Sequence, residues 1–330
     1  MKKILITGGC GFLGYHLAKN LLKEKNNYII LVDNFFRGKN DKEISNLLKT
    51  HKKNVKLLTL DLSLKEELEK IKEKCDQVYH LAAVNGTNNF YKIPHTVLKT
   101  NLLSTINILE WFLKNKVDNN SKIILASSSE VYAGIALAFK KTFPFPTPES
   151  VPLGIENIKN PRWSYAGSKI INELLFQNYA TIFNIRMSII RYYNVYGPRM
   201  GYGHVIPHFF VRILKKENPF QIFGSKSTRS FCYIDDAIEG TKRIMNLKNT
   251  DNEVINVGNN KEISIMTLAK KIFYLTNYIP QAIQINPPPE GDVFRRKPNL
   301  SKAKSLVNYN PKISLENGLK KTWNWYKQQQ

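Results

Sequence analysis

The sequence predicts an α/β protein: a doubly wound parallel sheet followed by a smaller C-terminal α/β domain. Three observations predict it. Short runs that are apolar throughout alternate with longer helical patterns over the first half, as expected of strands covered on both faces by crossover helices. A glycine-rich turn joins the first strand to the first helix. From about Asn194 the elements shorten and prolines recur (Pro198, Pro207, Pro219, Pro280, Pro287-Pro288-Pro289), which marks a change of domain. The 330 residues leave room for two domains. The first is placed at 1–193, with a segment near 229–258 returning to it, and the second at 194–330.

Taken in order, Lys3–Thr7 reads as a strand around Ile4-Leu5-Ile6, and Phe12–Lys25 as the helix after the glycines. Tyr28–Val32 and Val55–Leu60 are the next apolar runs, hence strands, and Leu64–Lys74 carries a helical pattern. Gln77–Leu81 is a strand, Thr96–Lys116 a long helix, Lys122–Ala126 a strand, Tyr165–Phe183 a helix and Arg186–Arg191 a strand. Pro144, Pro146, Pro148 and Pro152 stiffen the loop that precedes the helix at Tyr165.

Aliphatic and aromatic residues make up 42% of the chain and charged residues 23%, enough for a large core and too apolar for wholesale disorder. No apolar run reaches the length of a membrane span. Met1-Lys2-Lys3 imitates the start of a signal peptide, but the apolar run Ile4-Leu5-Ile6 is cut short by Thr7-Gly8-Gly9. Cys10, Cys75 and Cys232 are scattered and lack metal-ligand spacing, so neither a disulfide scaffold nor a metal site is expected, and a cytoplasmic location fits. The net charge of +23 raises the question of nucleic acid or membrane partners. Only ten of the 49 basic residues are arginine, and the lysine pairs are spread along the whole length, which reads as a solvated surface. Neither nucleic acid nor membrane is expected as a partner.

Thr7-Gly8-Gly9-Cys10-Gly11-Phe12-Leu13-Gly14 joins the first strand to the first helix. Glycines at these positions allow a sharp turn, close approach to a pyrophosphate, and tight packing of helix on strand, with the pyrophosphate at the helix N-terminus. The second strand ends at Asp33, 19 residues after Gly14, the spacing of a carboxylate that grips a ribose diol. This is a Rossmann-type dinucleotide site: Gly8, Gly11, Phe12, Leu13, Gly14, Asp33 and Asn34 face the cofactor. A carboxylate at Asp33 repels a 2′-phosphate and favours NAD over NADP. Arg37 reads as a surface side chain. Asp61, beside Leu62, either bonds an adenine amino group or caps the helix after it. His80 reads as a packed histidine, and Leu81, Ala82 and Ala83 give the small strand end over which a cofactor passes.

Tyr165 and Lys169 are four apart on a helix and share one face. An ammonium beside a phenol stabilises the phenolate and makes it a usable base near neutrality. The pair comes after Ala126-Ser127-Ser128-Ser129-Glu130-Val131-Tyr132, whose hydroxyls lie at a strand end where a reacting oxygen would sit.

These residues, in order along essentially the whole chain, resemble the extended short-chain dehydrogenase/reductases of the nucleotide-sugar epimerase/dehydratase family. Matching segments also include Asn101-Leu102…Thr105–Glu110, Arg191-Tyr192-Tyr193-Asn194-Val195-Tyr196-Gly197-Pro198-Arg199, Arg229–Asp236 and Gly291-Asp292…Arg295-Arg296-Lys297-Pro298. The resemblance implies an NAD-dependent first step on a nucleoside-diphosphate sugar. Tyr165 takes the proton from O4 as hydride leaves C4, Lys169 holds the ribose and tunes Tyr165, and Ser128 bonds O4. Asn101, Ser127 and Tyr192 join the cofactor set. Asn194, Arg229 and Arg296 match positions that hold the diphosphate, with Val205 and Phe223 in segments that recognise the nucleotide. It also implies a homodimer, paired through the helices at Thr96–Lys116 and Tyr165–Phe183.

The fate of the 4-ketone is left open between epimerisation, dehydration, decarboxylation and simple release. In glucose 4,6-dehydratases of this family the triplet is Thr-Asp-Glu. Here it is Ser128-Ser129-Glu130, so the acid is missing, while Glu130 serves as a base at C5 or as a structural ion pair. Asn160-Pro161-Arg162-Trp163 is similar to a segment of UDP-glucuronate decarboxylases. The stretch Ala133–Glu149 matches none of the groups. An RNA-binding or regulatory relative of the fold is the alternative from another class, against which stand the retained Tyr165 and Lys169.

Overall fold

The structure, a computed structural model, describes residues 1–329. Six strands open the main sheet: β1 (Lys2–Thr7), β2 (Asn27–Asp33), β3 (Val55–Thr59), β4 (Gln77–His80), β5 (Lys122–Ser128) and β6 (Arg186–Tyr192). A seventh, Glu253–Val257, adds in parallel beside β6. The order runs from Glu253–Val257 through β6, β5, β4, β1 and β2 to β3, all parallel, so the chain winds out from β1 in both directions. Leu5 sits at the centre, between Ile30 of β2 and Val78 of β4, and all three are fully buried. Each such side chain contributes roughly 1.5–3 kcal/mol by leaving water.

The crossovers are α1 (Phe12–Leu21), α2 (Lys42–Thr50), α3 (Lys65–Leu68), α4 (Thr87–Lys92), α5 (Pro94–Asn115), α6 (Ala133–Ala138) and α7 (Trp163–Phe183). One face of the sheet is covered by α5 and α7 through Ile108, Leu109, Phe112, Phe176 and Ala180. The other is covered by α1 and the helices Ile234–Asn246 and Ser301–Val307, through Leu17, Ile238, Ile244 and Val307. Proline at the first turn of α5 fits a position whose N–H has no helical partner. Asp41 caps α2 by accepting from the Ile44 amide at 3.0 Å. Asn184, left-handed at φ 47°, closes α7.

Two expected helices are shorter than their patterns. The first ends at Leu21 rather than Lys25, because the Asn27 amide takes the Leu21 carbonyl at 2.9 Å and turns the chain toward β2. In the stretch expected to be helical over Leu64–Lys74, only Lys65–Leu68 is α-helical. The residues after it bond three back (Ile71 N to Leu68 O, 3.0 Å), a tighter turn that buries both Leu68 and Ile71.

After Asn194 come short elements. Thr228–Ser230 pairs with Glu262–Ser264 and with Arg295–Arg296, while Phe220–Phe223 pairs with Ile283–Asn286. The stretch Ala133–Glu149 forms α6 and then a strap. Phe143 packs among Val131, Tyr132, Trp163 and Val293. Thr147 bonds across to Lys297 and Asn299 through backbone at 2.8 and 2.9 Å, so the strap buckles onto the segment carrying Arg296. No helix among the described residues is long and apolar enough to cross a membrane.

Candidate active site

The carboxyl ends of β1 to β6 open into a cleft of about 1460 Å³ whose far wall is the C-terminal part. That exceeds the usual 300–1,000 Å³ of a single small-ligand pocket. Each sequence-predicted site residue except Asn101 lines it.

At one end lies the glycine turn. Gly8 has φ +66°, and a methyl group there would lie 2.9 Å from the Ala82 amide. One on Gly14 would lie inside contact of the Gly8 carbonyl and 2.8 Å from the Gly9 Cα. Thr7 Oγ1 accepts from the Leu81 and Ala82 amides, both at 3.1 Å, and shares a 2.9 Å bond with His80 Nδ1. His80 Nε2 reaches Thr105 Oγ1 at 3.1 Å. Burial, helped by the Lys169 charge, pulls the imidazole down to about 3, so His80 is a neutral structural pillar. Asp33 accepts from the Cys10 amide at 2.9 Å and the Phe35 amide at 2.8 Å. Burial nevertheless pushes its carboxyl up. A bare backbone cradle at a helix start, with a carboxylate one strand away, fits a dinucleotide with a free ribose diol.

Asp61 accepts from the Ser63 amide at 2.9 Å and its hydroxyl at 2.7 Å, making a local turn, and from Asn34 at 3.4 Å. It is not the cap of α3, whose first flanking residue is Leu64. Asn101, expected in the cofactor set, does not itself line the cleft. Its amide brackets the backbone of Val84 (2.7 and 3.3 Å) and meets Ser168 Oγ at 3.0 Å, so it holds the cleft wall from behind. Thr100 and Ser104 of the same helix line the cleft.

At the other end Tyr165 stacks on Phe90, ring centroids 5.1 Å apart. Burial pushes its phenol up and Glu130 adds to this, against the Ser128 hydroxyl and the Arg37 charge. Lys169, 5.8 Å from the Tyr165 ring centroid, donates to the Ala126 carbonyl at 2.7 Å, and burial lowers it to about 8. Glu130 is bonded by Arg296 and, at 3.2 Å, by Arg162. Burial alone would raise its carboxyl, but the two guanidiniums hold it well below the usual carboxylate range. Arg229 grips both oxygens of Asp292 at 2.7 Å, and Arg296 lies 3.8 Å from the same carboxylate. Three guanidiniums thus alternate with two carboxylates along the wall beside Tyr165. Asn194 donates to the Ser230 carbonyl at 3.1 Å, Val205 opens the helix Val205–Leu214, and Phe223 lies under Arg212.

Sequence reasoning leaves several lining residues unassigned. Arg37, read as a surface side chain, is exposed, and from the rim of the cleft it reaches the Asn85 carbonyl. Arg162 and Asp292 stand inside recognised motifs without a role of their own. His204 and Trp325 carry no local signal.

A sequence model of the family described as GDP-mannose 4,6 dehydratase matches residues 5–322. The chain belongs to the NAD-dependent nucleotide-sugar epimerase/dehydratase family. The resemblance read from the sequence, the fold class and the assignment as an enzyme are borne out. Within the family, a UDP-N-acetyl-alpha-D-glucosaminuronate decarboxylase of Bacillus cytotoxicus is 34% identical over 338 residues, 99% of this chain and 98% of that one. UDP-glucuronic acid decarboxylase 5 of Arabidopsis thaliana is 33% identical over 325 residues, 96% of this chain and 87% of its own. Among solved structures, the UDP-glucuronic acid 4-epimerase of Bacillus cereus in complex with UDP-glucuronic acid and NAD matches with a TM-score of 0.86 at 28% identity, over 99% of this chain and 100% of that one.

Proposed function

We propose that the protein oxidises C4 of a UDP-linked uronic acid and carries the keto acid on to decarboxylation. The observation that carries this reading is the wall beside Tyr165, where Arg162 and Arg296 bracket Glu130 and leave an excess of guanidinium. Such a wall suits a sugar that brings its own carboxylate. The curated relatives named as uronate decarboxylases support it.

NAD, cradled by Gly8–Gly14 and Asp33, supplies the oxidising power when bound. Tyr165 takes the proton of the O4 hydroxyl, Ser128 holds that oxygen in line, and the Lys169 ammonium lowers the cost of the phenolate. A ketone at C4 places the C6 carboxylate β to a carbonyl. Carbon dioxide then leaves, the electron pair moves onto the ketone oxygen, and Tyr165 and Ser128 stabilise the charge there until C5 takes up a proton; C4 then recovers its hydride and O4 its proton from Tyr165, so the net change is loss of carbon dioxide. The position of the acid that a departing O6 would need is held by Ser129, which disfavours dehydration. Arg229, whose Nη groups are held by Asp292 and by the Thr228 and Phe294 carbonyls, stands beside Arg296 as fixed positive charge toward the diphosphate. Arg296 Nε is buried without a partner. Asn194, Val205 and Phe223 flank the nucleotide.

Incubation with a panel of UDP-, GDP- and dTDP-sugars that includes UDP-glucuronate and its N-acetyl analogue, read by mass spectrometry, tests the reading. Loss of carbon dioxide from a uronate supports it. Loss of water, loss of two hydrogens, or altered stereochemistry at constant mass overturns it in favour of dehydration, oxidation or epimerisation. The chain pairs as a homodimer through α5 and α7 in this reading, since Ile171, Leu174, Ile182 and Phe183 are exposed on α7. Light scattering that gives a monomer at micromolar concentration refutes the dimer.

A further inference from the structure

Behind the Tyr165–Lys169 pair lies a buried ion pair that the proposed reaction does not use. Glu173 stands one turn beyond Lys169 on α7, and Arg191 lies on β6 in register with Ser127 of β5. Both are almost completely buried. Arg191 Nε donates to both Glu173 oxygens at 3.0 and 3.2 Å, and Nη2 to Oε2 at 2.6 Å. The Ser127 hydroxyl donates to Glu173 Oε1 at 2.5 Å. Lys169 Nζ, meanwhile, holds the Ala126 carbonyl at 2.7 Å. Two successive turns of α7 therefore grip two successive residues of β5, immediately before Ser128.

The other side of Arg191 reaches the strap. Its Nη1 donates to the Tyr132 hydroxyl at 2.7 Å and the Glu149 carbonyl at 2.9 Å. Tyr132 donates onward to Asn256 Oδ1 at 3.1 Å, and the backbone N–H of Asn256 donates to the Glu149 carboxylate at 2.8 Å. The strap that ends at Glu149 is thus tied to α7 by the Arg191 guanidinium as well as by the packing of Phe143 on Trp163.

We propose that Glu173, with Arg191 as its counter-ion, is a positioning residue that holds the end of β5 against α7 and so seats Ser128 opposite Tyr165, with Lys169 one turn away. This rests on the reading of Tyr165 and Lys169 as the reacting pair. The charged and titratable groups facing Lys169 are few. Tyr165 and Glu173 share its helix, His80 faces it from β4 and is neutral, and Arg191 lies beyond Glu173. Burial lowers the lysine, and Glu173 is the group that draws it back up. The ammonium is present below its transition near 8 and lost above it. Removing the Glu173 charge moves that loss to lower pH.

The test is the pH profile of turnover on whichever nucleotide sugar of the panel reacts, with Tyr165→Phe run beside it. Glu173→Gln keeps the shape and removes the charge. Its alkaline limb is expected to move down by about one unit, with kcat reduced by about tenfold and KM little changed. A folded variant whose limb stays in place, with kcat within about threefold of wild type, overturns the proposal. Because Glu173→Gln leaves Arg191 buried and unpaired, the double variant Glu173→Gln/Arg191→Met is the second arm, with a limb shift in the same direction but smaller. Glu173→Asp keeps the charge and shortens the reach to Ser127. It is expected to leave the limb in place and lower kcat about fivefold, and unchanged kcat there also overturns the proposal. If Tyr165→Phe stays active, it is the assignment of the reacting pair that fails, whatever Glu173 does.

Discussion

Replacing Gly14 by alanine tests the cofactor cradle with one methyl group. That methyl would lie 2.8 Å from the Gly9 Cα and closer still to the Gly8 carbonyl, both backbone atoms that no rotamer change can move aside. Ordinary carbon contacts begin near 3.5 Å, so α1 must shift by more than half an ångström from the turn that positions its first amides. Overpacking of this kind costs roughly 1–3 kcal/mol. That shift also carries the first amides of α1 off the pyrophosphate; losing one charge-assisted hydrogen bond of roughly 1.5–3 kcal/mol weakens NAD binding by roughly 10- to 150-fold. Gly167→Ala is the internal control, because a methyl group there meets nothing within 4 Å and the residue lies inside α7. Relieving a helix of glycine stabilises by roughly 0.5–1 kcal/mol. The two alanines therefore have opposite signs. Isothermal titration with NAD and thermal unfolding of the cofactor-free protein read them out. Gly14→Ala binding NAD within about twofold of wild type would refute the claim that close packing at the turn shapes the cradle.

Tyr165→Phe is expected to lower kcat by about 10³-fold while nucleotide-sugar affinity stays near wild type, since the phenol moves a proton and does not anchor substrate; kcat and binding titrations check it. Asp33→Ala should weaken NAD by roughly tenfold or more and NADP much less, because only NAD offers a free diol to the carboxylate; parallel titrations with both cofactors decide it. Acid should destabilise the fold through His80, whose folded-state value near 3 lies below its ordinary 6.5. Between those values the native state binds fewer protons than the unfolded chain. Stability is therefore lost as pH falls below 6.5, by up to about 1.4 kcal/mol per unit for this imidazole. Urea midpoints measured from about pH 7 to about pH 5 should fall, and the fall should flatten in His80→Gln.

The glycine turn, Asp33 and the Tyr165–Lys169 face were legible because each is a local spacing: a turn, one strand's length, one helical turn. The carboxyl ends of parallel strands then bring such local signals to one edge without further information. Arg37 is the exposed cation that it reads as, but its place on the cleft rim shows only once the Asn85 carbonyl is seen opposite it. His204 and Trp325 arrive from the C-terminal part by long-range packing, which no window of sequence records. Asn101 shows what spacing leaves out. The motif around it is recognisable, but its amide serves the backbone of Val84, a distinction set by side-chain direction and not by spacing. Arg162 likewise sits in a recognisable motif, yet its bond to Glu130 joins residues 32 apart in sequence.

The seventh strand carries a consequence for how the chain comes to life on the ribosome. Glu253–Val257 pairs with β6 only after about sixty intervening residues have been made, and Asn256 within it ties down the strap at Thr147. Until then β6 presents an open edge, and the apolar face beneath Ile238 and Ile244 has no cover. The nascent cofactor half is thus a sticky intermediate, and expressing residues 1–193 by themselves should yield aggregate in place of a miniature NAD-binding module.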